Sequence, residues 1–251
     1  MAERDGDRVV LVTGASGAIG FEIAAQAAEQ GAIVAVHGSS DASVARAMAK
    51  LRDRVREGRF LATPADFRAD GAIERMVASV ADQGGRIDAV IHCGIVGALG
   101  VTGPFAKADA TQFANHAALV IGAFQRLCAA ALSHFDHNGG AIIGFASDAA
   151  RFAAPRQAII GGAFGGIVAF VRNLAPEIAR ANVRIHCITP GFVAETPIYQ
   201  AHAARAQAAQ ERAGLGLPTP ADIAPMALFL CGEGARKMTG QIISINGGLN
   251  A

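Results

Sequence analysis

The sequence has no tryptophan, a single tyrosine and almost no net charge. Its 22 basic side chains are balanced by 21 acidic ones, and aromatic residues make up only 6% of the chain. A nucleic-acid surface needs a positive stripe and rings on which bases stack, so this composition argues against that class of protein. The four cysteines form no Cys-x-x-Cys pair. Their spacing argues against a zinc site or a disulfide framework and favours a reducing compartment, and no metal site is predicted.

The sequence predicts neither an export signal nor a membrane anchor. The charged start of the chain leads straight into an apolar strand, unlike a secretory signal. The uncharged stretch 157–171 has 15 residues, fewer than the ~20 that a membrane-spanning helix needs. We therefore expect a cytoplasmic protein with no membrane contact.

Apolar residues and glycine are abundant: 52% of the chain is apolar, and 30 of its 251 residues are glycine. Short β-branched runs alternate with longer segments of helical period. Continuous apolar strands separated by helices are typical of a parallel sheet covered on both faces. We therefore predict one domain over 1–251, an α/β fold with a doubly wound parallel sheet of about seven strands.

The expected elements follow from this alternation. Strands are predicted at 9–12, 32–36, 59–62, 89–92, 141–146, 183–188 and 242–245. Helices are predicted at 18–30, 41–57, 70–83, 109–135, 156–180 and 220–231. Asp41 is the predicted N-cap of the second helix. A polar, alanine-rich insertion occupies about 194–217.

A glycine-rich turn, Thr-Gly-Ala-Ser-Gly-Ala-Ile-Gly at 13–20, links the first strand to the first helix. Such a turn forms an anion pocket, because backbone N–H groups and the helix dipole point at a pyrophosphate. Its glycines allow the tight turn, the close approach of a ligand and the packing of helix on strand. The predicted cofactor contacts in this turn are Gly14, Ser16, Gly17, Ile19 and Gly20.

Over nearly its whole length the chain resembles the short-chain dehydrogenase/reductase family, single-domain Rossmann enzymes that use NAD(H) or NADP(H). Besides the glycine turn, the resemblance is carried by Asp66-Phe67, Ser147, Asn182 to Ile185, Pro190-Gly191, Thr239 to Gln241 and Asn246 to Gly248. It implies that Ser147 matches the catalytic serine. It also implies cofactor contacts from Ser39, Asp66, Phe67, Gly94, Pro190 and Gly191.

The rest of the family's catalytic tetrad is missing from the sequence. In the family a tyrosine is the general acid/base, a lysine four residues later lowers its pKa, and an asparagine on the preceding helix anchors a water. Counted from Ser147, Ile160 occupies the tyrosine position, Phe164 the lysine position and Leu119 the asparagine position. A register shifted by one residue gives Ile159, Ala163 and Val120 instead. A positioned acid/base contributes ~10²–10⁴ in rate, so its loss predicts a silent site.

Cofactor binding is left open by the sequence. Ala18 takes the place of a glycine in the family's commonest fingerprint, with Gly17 shifted one position forward. After the second strand, Ser39 stands where an acidic residue would bind a 2′-hydroxyl or an arginine a 2′-phosphate. NAD or NADP is the cofactor that the resemblance implies.

Several polar residues have both a catalytic and a structural interpretation. Tyr199, in the insertion that forms a substrate lid in relatives, is either a substitute acid or a packing residue. Ser147-Asp148 is either a residual acid/base pair or a turn in which Asp148 caps the backbone and pairs with Arg151. The structural interpretation is favoured for each.

Two strand histidines have the same ambiguity. His92 and His186 occupy positions where the family has asparagines that bond the backbone across the sheet, so structural roles are favoured. Cys93 follows His92, but adjacent strand residues point to opposite faces, which argues against a nucleophile and base.

Two helical segments are predicted to contact a partner chain. The run 161–166, Gly-Gly-Ala-Phe-Gly-Gly, keeps four glycines in a helix although each costs roughly 1 kcal/mol relative to alanine. The helix at 117–132 is apolar except for Gln125 and Arg126. In the family the corresponding helices form a four-helix bundle between subunits. The resemblance therefore implies a hetero-oligomer with an active paralogue through helices 117–132 and 156–171; packing on the sheet would explain one face of each.

Three functions are compatible with the sequence. The first is a silent subunit that joins an active homologue in an NAD(P)-dependent dehydrogenase of a hydroxyacyl substrate, such as a β-hydroxyacyl-CoA. The second is an atypical NAD(P)H-dependent oxidoreductase whose proton comes from a non-standard donor. The third is a regulatory protein gated by a dinucleotide.

Overall fold

A computed structural model describes residues 8–94, 101–135 and 139–250. Seven parallel strands form one sheet in the order β3-β2-β1-β4-β5-β6-β7. The strands are β1 (Val9–Thr13), β2 (Ile33–Gly38), β3 (Arg59–Pro64), β4 (Ala89–His92), β5 (Gly140–Phe145), β6 (Val183–Pro190) and β7 (Ile242–Ile245). The predicted doubly wound α/β fold is confirmed.

Helices cover both faces of this sheet. They are α1 (Ala18–Glu29), α2 (Asp41–Arg54), α3 (Ala72–Gly84), α4 (Phe113–Ala117), α5 (Ala123–Leu132), α6 (Ala158–Ile178), α7 (Pro197–Ala201), α8 (Ala203–Arg212) and α9 (Pro220–Cys231). One apolar core lies between the sheet and α1, α2 and α9, and two further cores lie under α3, α5 and α6. The continuous apolar strands of the sequence are therefore buried on both sides.

The order of the strands places a switch point beside β1. The chain moves from β1 outward to β2 and β3, and then returns to place β4 on the other side of β1, with Thr13 opposite His92. Ligands of open α/β sheets bind outside the carboxyl ends of the strands at such a point. The glycine turn after β1 lies there.

The helix predicted at 109–135 is interrupted. Between α4 and α5 the backbone forms a π-helical turn, Ala118–Gly122, and the regular helix ends at Leu132. The Phe124 ring then packs on β5 at Gly144, where a Cβ would lie 2.7 Å from Phe124 Cζ. A glycine at 144 is therefore what allows the helix to lie this close to the sheet.

The predicted cap of α2 is wrong by one residue. Ser40, not Asp41, is the N-cap, and it exchanges reciprocal hydrogen bonds with Ser43. Asp41 is the first helical residue, where the positive end of the helix dipole stabilises a carboxylate.

One helical stretch, Ala158–Ala181, is long and apolar enough to cross a membrane by length and composition alone. Its inward side chains, among them Ile167 and Val171, pack with Ile185 of β6 in a buried cluster. Packing on the sheet accounts for the apolar residues of this inward face, and about a third of the apolar stretch is buried.

Candidate functional site

The predicted site residues gather along the carboxyl edge of the sheet. They fall into six groups, one for each of the strands β1 to β6. Gly14, Ser16 and Gly17 follow β1, Ser39 follows β2, Asp66 and Phe67 follow β3, Gly94 follows β4, Ser147 follows β5, and Pro190 and Gly191 end and follow β6. Ile19 and Gly20 lie in the first turn of α1. The topology thus brings the predicted cofactor contacts to one edge.

The glycine turn has the geometry of a phosphate-binding loop. Gly14 has φ +70°, and a Cβ there would lie 2.7 Å from the backbone of Gly94. A Cβ at Gly20 would lie 2.4 Å from the Gly14 carbonyl oxygen, so α1 packs directly on the loop. Gly17 is the N-cap of α1 and has no side chain to occupy the first N–H groups, while Ser16 beside it is exposed. The positive end of α1 is therefore available to an anion.

The adenine side of the site is bordered by Asp66, whose carboxylate is already engaged. Arg68 donates to it from Nε at 2.9 Å, from Nη2 at 2.7 Å and from its backbone N–H at 3.0 Å. This pairing lowers the pKa of Asp66 below its usual value. Ser39 is exposed after β2 and brings no charge. Ser39 therefore cannot distinguish a 2′-hydroxyl from a 2′-phosphate of the cofactor by its charge.

Ile160 and Phe164, at the tyrosine and lysine positions, lie on one face of α6. Their side chains are 8% and 5% exposed. They pack with Val120, Phe124 and Ala146 in a single apolar cluster. Neither side chain can move a proton, and the cluster offers no counter-charge that would hold a lysine.

The asparagine position lies in the π-helical turn between α4 and α5. Leu119 is half-buried there, whereas its neighbour Val120 is 2% exposed and joins the cluster around Phe164. Both are aliphatic, so neither can bind a water through its side chain. Single π-helical turns are frequent at functional sites, and this one adjoins the positions of the missing tetrad.

Ser147 and Asp148 form a structural turn after β5. Ser147 Oγ accepts a hydrogen bond from the Ala149 N–H at 3.2 Å. Asp148 is 4% exposed and accepts hydrogen bonds from Ser244 and Asn246 at 2.8 and 2.6 Å. Asp148 therefore binds the end of β7 and is not poised as a base.

The predicted pairing of Arg151 with Asp148 is wrong in its detail. Arg151 Nη1 donates to Ser244 Oγ at 2.8 Å, and that hydroxyl in turn donates to Asp148. Ser244 of β7 therefore lies between the guanidinium of Arg151 and the carboxylate of Asp148 and bridges them.

Gly191 lies against the same structural turn. A Cβ at Gly191 would approach Asn246 Cβ at 3.4 Å and Asp148 Oδ2 at 3.5 Å. Pro190, the last residue of β6, pairs in register with Ile245 of β7. The nicotinamide-side turn of the family is thus held by the carboxyl-terminal residues of the chain.

Tyr199 packs within the lid. It lies in the short helix α7 and contacts a small apolar cluster with Phe192, Leu217 and Leu249. Its backbone N–H is capped by Thr196 Oγ1 at 3.2 Å. These contacts describe a half-buried packing residue.

The strand histidines His92 and His186 are buried, and Cys93, which follows β4, is half-buried. His92 Nδ1 lies 2.8 Å from Thr13 Oγ1, so its cross-strand bond goes to a side chain and not to the backbone. Burial lowers the pKa of His92 to about 3 and raises the pKa of the Cys93 thiol. His186 is fully buried in β6, and burial lowers its pKa to about 4. A His92–Cys93 nucleophile is therefore not formed.

One residue of the site, His37, belongs to no motif that the sequence indicated. It lies in β2, is 4% exposed and stacks on Phe67 with ring centroids 4.4 Å apart. The stack extends across the sheet: the ring centroids of Phe67 and His92 are 6.0 Å apart, and those of His92 and Phe124 are 5.3 Å apart. A histidine inside an otherwise apolar strand was the available signal.

The described residues fit a dinucleotide only in part. The glycine turn has the geometry of a phosphate loop although Ala18 replaces a fingerprint glycine, whereas Ser39 and Phe164 are uncharged at positions where the family has charged residues. Within 8–94, 101–135 and 139–250, no three His, Cys, Asp or Glu side chains group as a metal site would require. The four cysteines are all unpaired.

Comparison with known proteins agrees with this architecture. A family profile described as enoyl-(acyl carrier protein) reductase matches residues 14–250. The chain is 31% identical to the (2S)-[(R)-hydroxy(phenyl)methyl]succinyl-CoA dehydrogenase subunit BbsD of Thauera aromatica, over 96% of each chain. It is 27% identical to the 3-oxoacyl-[acyl-carrier-protein] reductase FabG of Chlamydia trachomatis, over 97% of each.

Solved structures give the same result. A short-chain type dehydrogenase/reductase from Mycobacterium ulcerans superimposes with a TM-score of 0.90 at 26% identity, over 97% of this chain and 90% of that one. A dehydrogenase/reductase from Sinorhizobium meliloti 1021 gives 0.88 over 99% and 98%, and at 24% identity it supports the fold alone. The chain belongs to the short-chain dehydrogenase/reductase family of oxidoreductases.

Proposed function

We propose that this chain is a catalytically silent subunit that assembles with an active short-chain dehydrogenase/reductase homologue. The assembly would be an NAD(P)-dependent dehydrogenase that oxidises a hydroxyacyl thioester, and this chain would supply contact surface rather than chemistry. Its best-fitting counterpart is the inactive subunit of a 2-(α-hydroxybenzyl)succinyl-CoA dehydrogenase.

The observation that carries the proposal is the burial of Ile160 and Phe164. They occupy the acid/base and lysine positions and pack together in one apolar cluster. Groups that act as a unit in catalysis lose nearly all their effect when one is removed, and here three of four are replaced. Aliphatic and aromatic side chains stabilise this interior, whereas an unpaired ammonium there would be costly.

The outer faces of α5 and α6 support a partner chain. Gly162 on α6 and Gly122 before α5 have no described atom within 4 Å of an added Cβ. Ala158, Gly162 and Ala169 are exposed along one side of α6. Small, uncharged residues on an outward face let another helix approach closely, and an apolar surface of this kind favours association.

The substrate class rests on the relatives. By its name BbsD is a subunit of a (2S)-[(R)-hydroxy(phenyl)methyl]succinyl-CoA dehydrogenase, and by its name FabG is a reductase of a 3-oxoacyl group on acyl carrier protein. Both names describe acyl thioesters whose reacting group is a hydroxyl or a ketone. NAD(P), when bound, would accept the hydride from the substrate. In this chain Gly14, Ser16 and Gly17 would hold its pyrophosphate.

The test is to isolate the protein from its native cells and weigh the intact assembly by native mass spectrometry. A tetramer that contains a second homologue with an intact Tyr-x-x-x-Lys pair is the expected result. In that assembly, replacing the partner's tyrosine by phenylalanine should abolish turnover, whereas Tyr199→Phe in this chain should leave turnover within about twofold.

A second candidate is an atypical NAD(P)H-dependent oxidoreductase, which the phosphate-loop geometry at Gly14 favours. A homo-oligomer that carries bound NAD(P) and turns over alone would support it and would overturn the silent-subunit proposal. Loss of that turnover in Tyr199→Phe would identify the lid tyrosine as the proton donor.

A further inference from the structure

The imidazole of His37 bridges two of the turns that border the dinucleotide site. Its Nδ1 accepts a hydrogen bond from the backbone N–H of Gly14 at 3.0 Å. Its Nε2 lies 2.9 Å from the carbonyl oxygen of Ala65. The side chain is almost fully buried, so both contacts are sheltered from water.

These two contacts fix the protonation state of the ring. The Gly14 N–H can only donate a hydrogen bond, so Nδ1 must carry a free lone pair. The Ala65 carbonyl can only accept one, so Nε2 must carry the proton. The neutral Nε2–H tautomer alone satisfies both partners, and a doubly protonated ring would place two donors face to face at Gly14.

The bridged turns are the ones that a dinucleotide would touch. Gly14 begins the phosphate loop and is held against Gly94 in the left-handed backbone region. Ala65 directly precedes Asp66 and Phe67, and the Phe67 ring is stacked on His37 at an interplanar angle of 13°. His37 therefore joins the phosphate side of the site to its adenine side.

We propose that His37 is a positioning residue that holds the phosphate loop in its binding shape only while Nδ1 is unprotonated. Protonation removes the acceptor of the Gly14 N–H, and the loop then loses its one described side-chain bond from β2. The proposal concerns the loop alone, so it stands whether this chain is silent or active.

The surroundings of His37 favour the neutral ring. Burial lowers its pKa below the usual value, and the hydrogen bond to Ala65 acts in the opposite direction. From β4 it faces His92, which stays uncharged because burial lowers the pKa of His92 to about 3. After β3 the Asp66 carboxylate is paired with Arg68. From β1, Thr13 and Gly14 bring no charge. Acid strong enough to protonate this ring is therefore the condition that would release the loop.

The test is amide hydrogen exchange at Gly14, read by NMR on the full chain from pH 8 down through the pH at which the His37 ring resonances titrate, and corrected for intrinsic exchange. In the unmodified protein, we expect protection of the Gly14 N–H to fall by about tenfold or more, with the same midpoint as the His37 ring resonances. Flat protection through the His37 titration would overturn the proposal.

Two variants separate the two hydrogen bonds without any titration. In His37→Asn, the amide oxygen takes the place of Nδ1 and accepts from Gly14 without titrating. In His37→Gln, the amide nitrogen takes the place of Nε2 and leaves Gly14 without an acceptor. We expect His37→Asn to stay protected at every pH and His37→Gln to be unprotected even at pH 8. Equal protection in two folded variants, checked by circular dichroism, would contradict the proposal.

Discussion

Asn246 donates a hydrogen bond from Nδ2 to Oδ2 of Asp148 at 2.6 Å, and this bond ties the end of β7 to the turn after β5. Ser244 donates to the other carboxylate oxygen at 2.8 Å, and Asn250 adds a third bond at 3.2 Å. A buried carboxylate with three donors acts as a clamp on the carboxyl-terminal residues, which in turn border the nicotinamide-side turn at Gly191.

Replacing this carboxylate should destabilise the chain. Asp148→Ala removes the acceptor of three hydrogen bonds, although Asn246 Nδ2 keeps its bond to the Asn250 carbonyl oxygen, and we expect the free energy of unfolding to fall by about 1–3 kcal/mol. Urea denaturation measures this loss. The matched control is Asp82→Ala on the exposed side of α3, which should change stability by less than about 0.5 kcal/mol. A loss in Asp148→Ala no larger than in the control would show that the clamp is not needed.

Restoring the lysine of the tetrad should harm this chain. Phe164→Lys removes a buried ring and places an ammonium in an apolar cluster without a counter-charge, so we expect a loss of at least about 3 kcal/mol. Thermal and urea unfolding check the prediction. Ile198→Lys, at a lid position that is 68% exposed, is the control and should be neutral. Unchanged stability of Phe164→Lys would mean that the site is open to water.

The outer face of α6 can be tested with one glycine. A Cβ at Gly162 meets no described atom within 4 Å, so Gly162→Leu should fold as before, and its helix propensity should rise by roughly 0.8 kcal/mol. The bulk should nevertheless dissociate the assembly, which native mass spectrometry would detect. Gly214→Leu, another glycine with open space around its Cβ, lies after α8 and should leave the assembly intact. An intact assembly with Gly162→Leu would place the partner surface elsewhere.

Acid should unfold the protein through its buried histidines. Burial lowers the pKa of His92 to about 3 and that of His186 to about 4, whereas both protonate near 6.5 once unfolded. Because the unfolded chain binds protons that the folded chain cannot, stability is lost as pH falls below about 6.5.

The expected loss is up to about 1.4 kcal/mol per pH unit for each of these two histidines. Urea titrations at pH 7.5, 6, 5.5 and 5 would measure it. His186→Asn should reduce the slope of stability against pH by the contribution of one histidine, up to about 1.4 kcal/mol per pH unit. Stability that does not change between pH 6.5 and pH 5 would contradict the assignment of both rings as neutral.

Most of the fold could be predicted from the sequence, because apolar β-branched runs separated by helical segments specify a parallel sheet. The π-helical turn at 118–122 could not, since each residue there is compatible with an ordinary helix. It is detected only from the backbone between α4 and α5.

The site was predictable where a motif has a fixed place on a strand, as with Gly14 and Ser147. Asp148 was more difficult, because its partners Ser244 and Asn246 lie about 100 positions away and meet it only when β7 joins the sheet. His37 was missed because its role depends on two backbone groups, and backbone contacts leave no pattern in a sequence.

The contact between Phe124 and Gly144 limits which substitutions this chain can accept during evolution. The ring fills the volume in which any side chain at 144 would have to begin. A larger residue at 144 is therefore acceptable only after position 124 has become smaller, and a smaller residue at 124 opens a void unless position 144 grows. Among relatives that share this helix and strand, the two positions should vary together, and a change seen at only one should coincide with a shift of the helix away from the sheet.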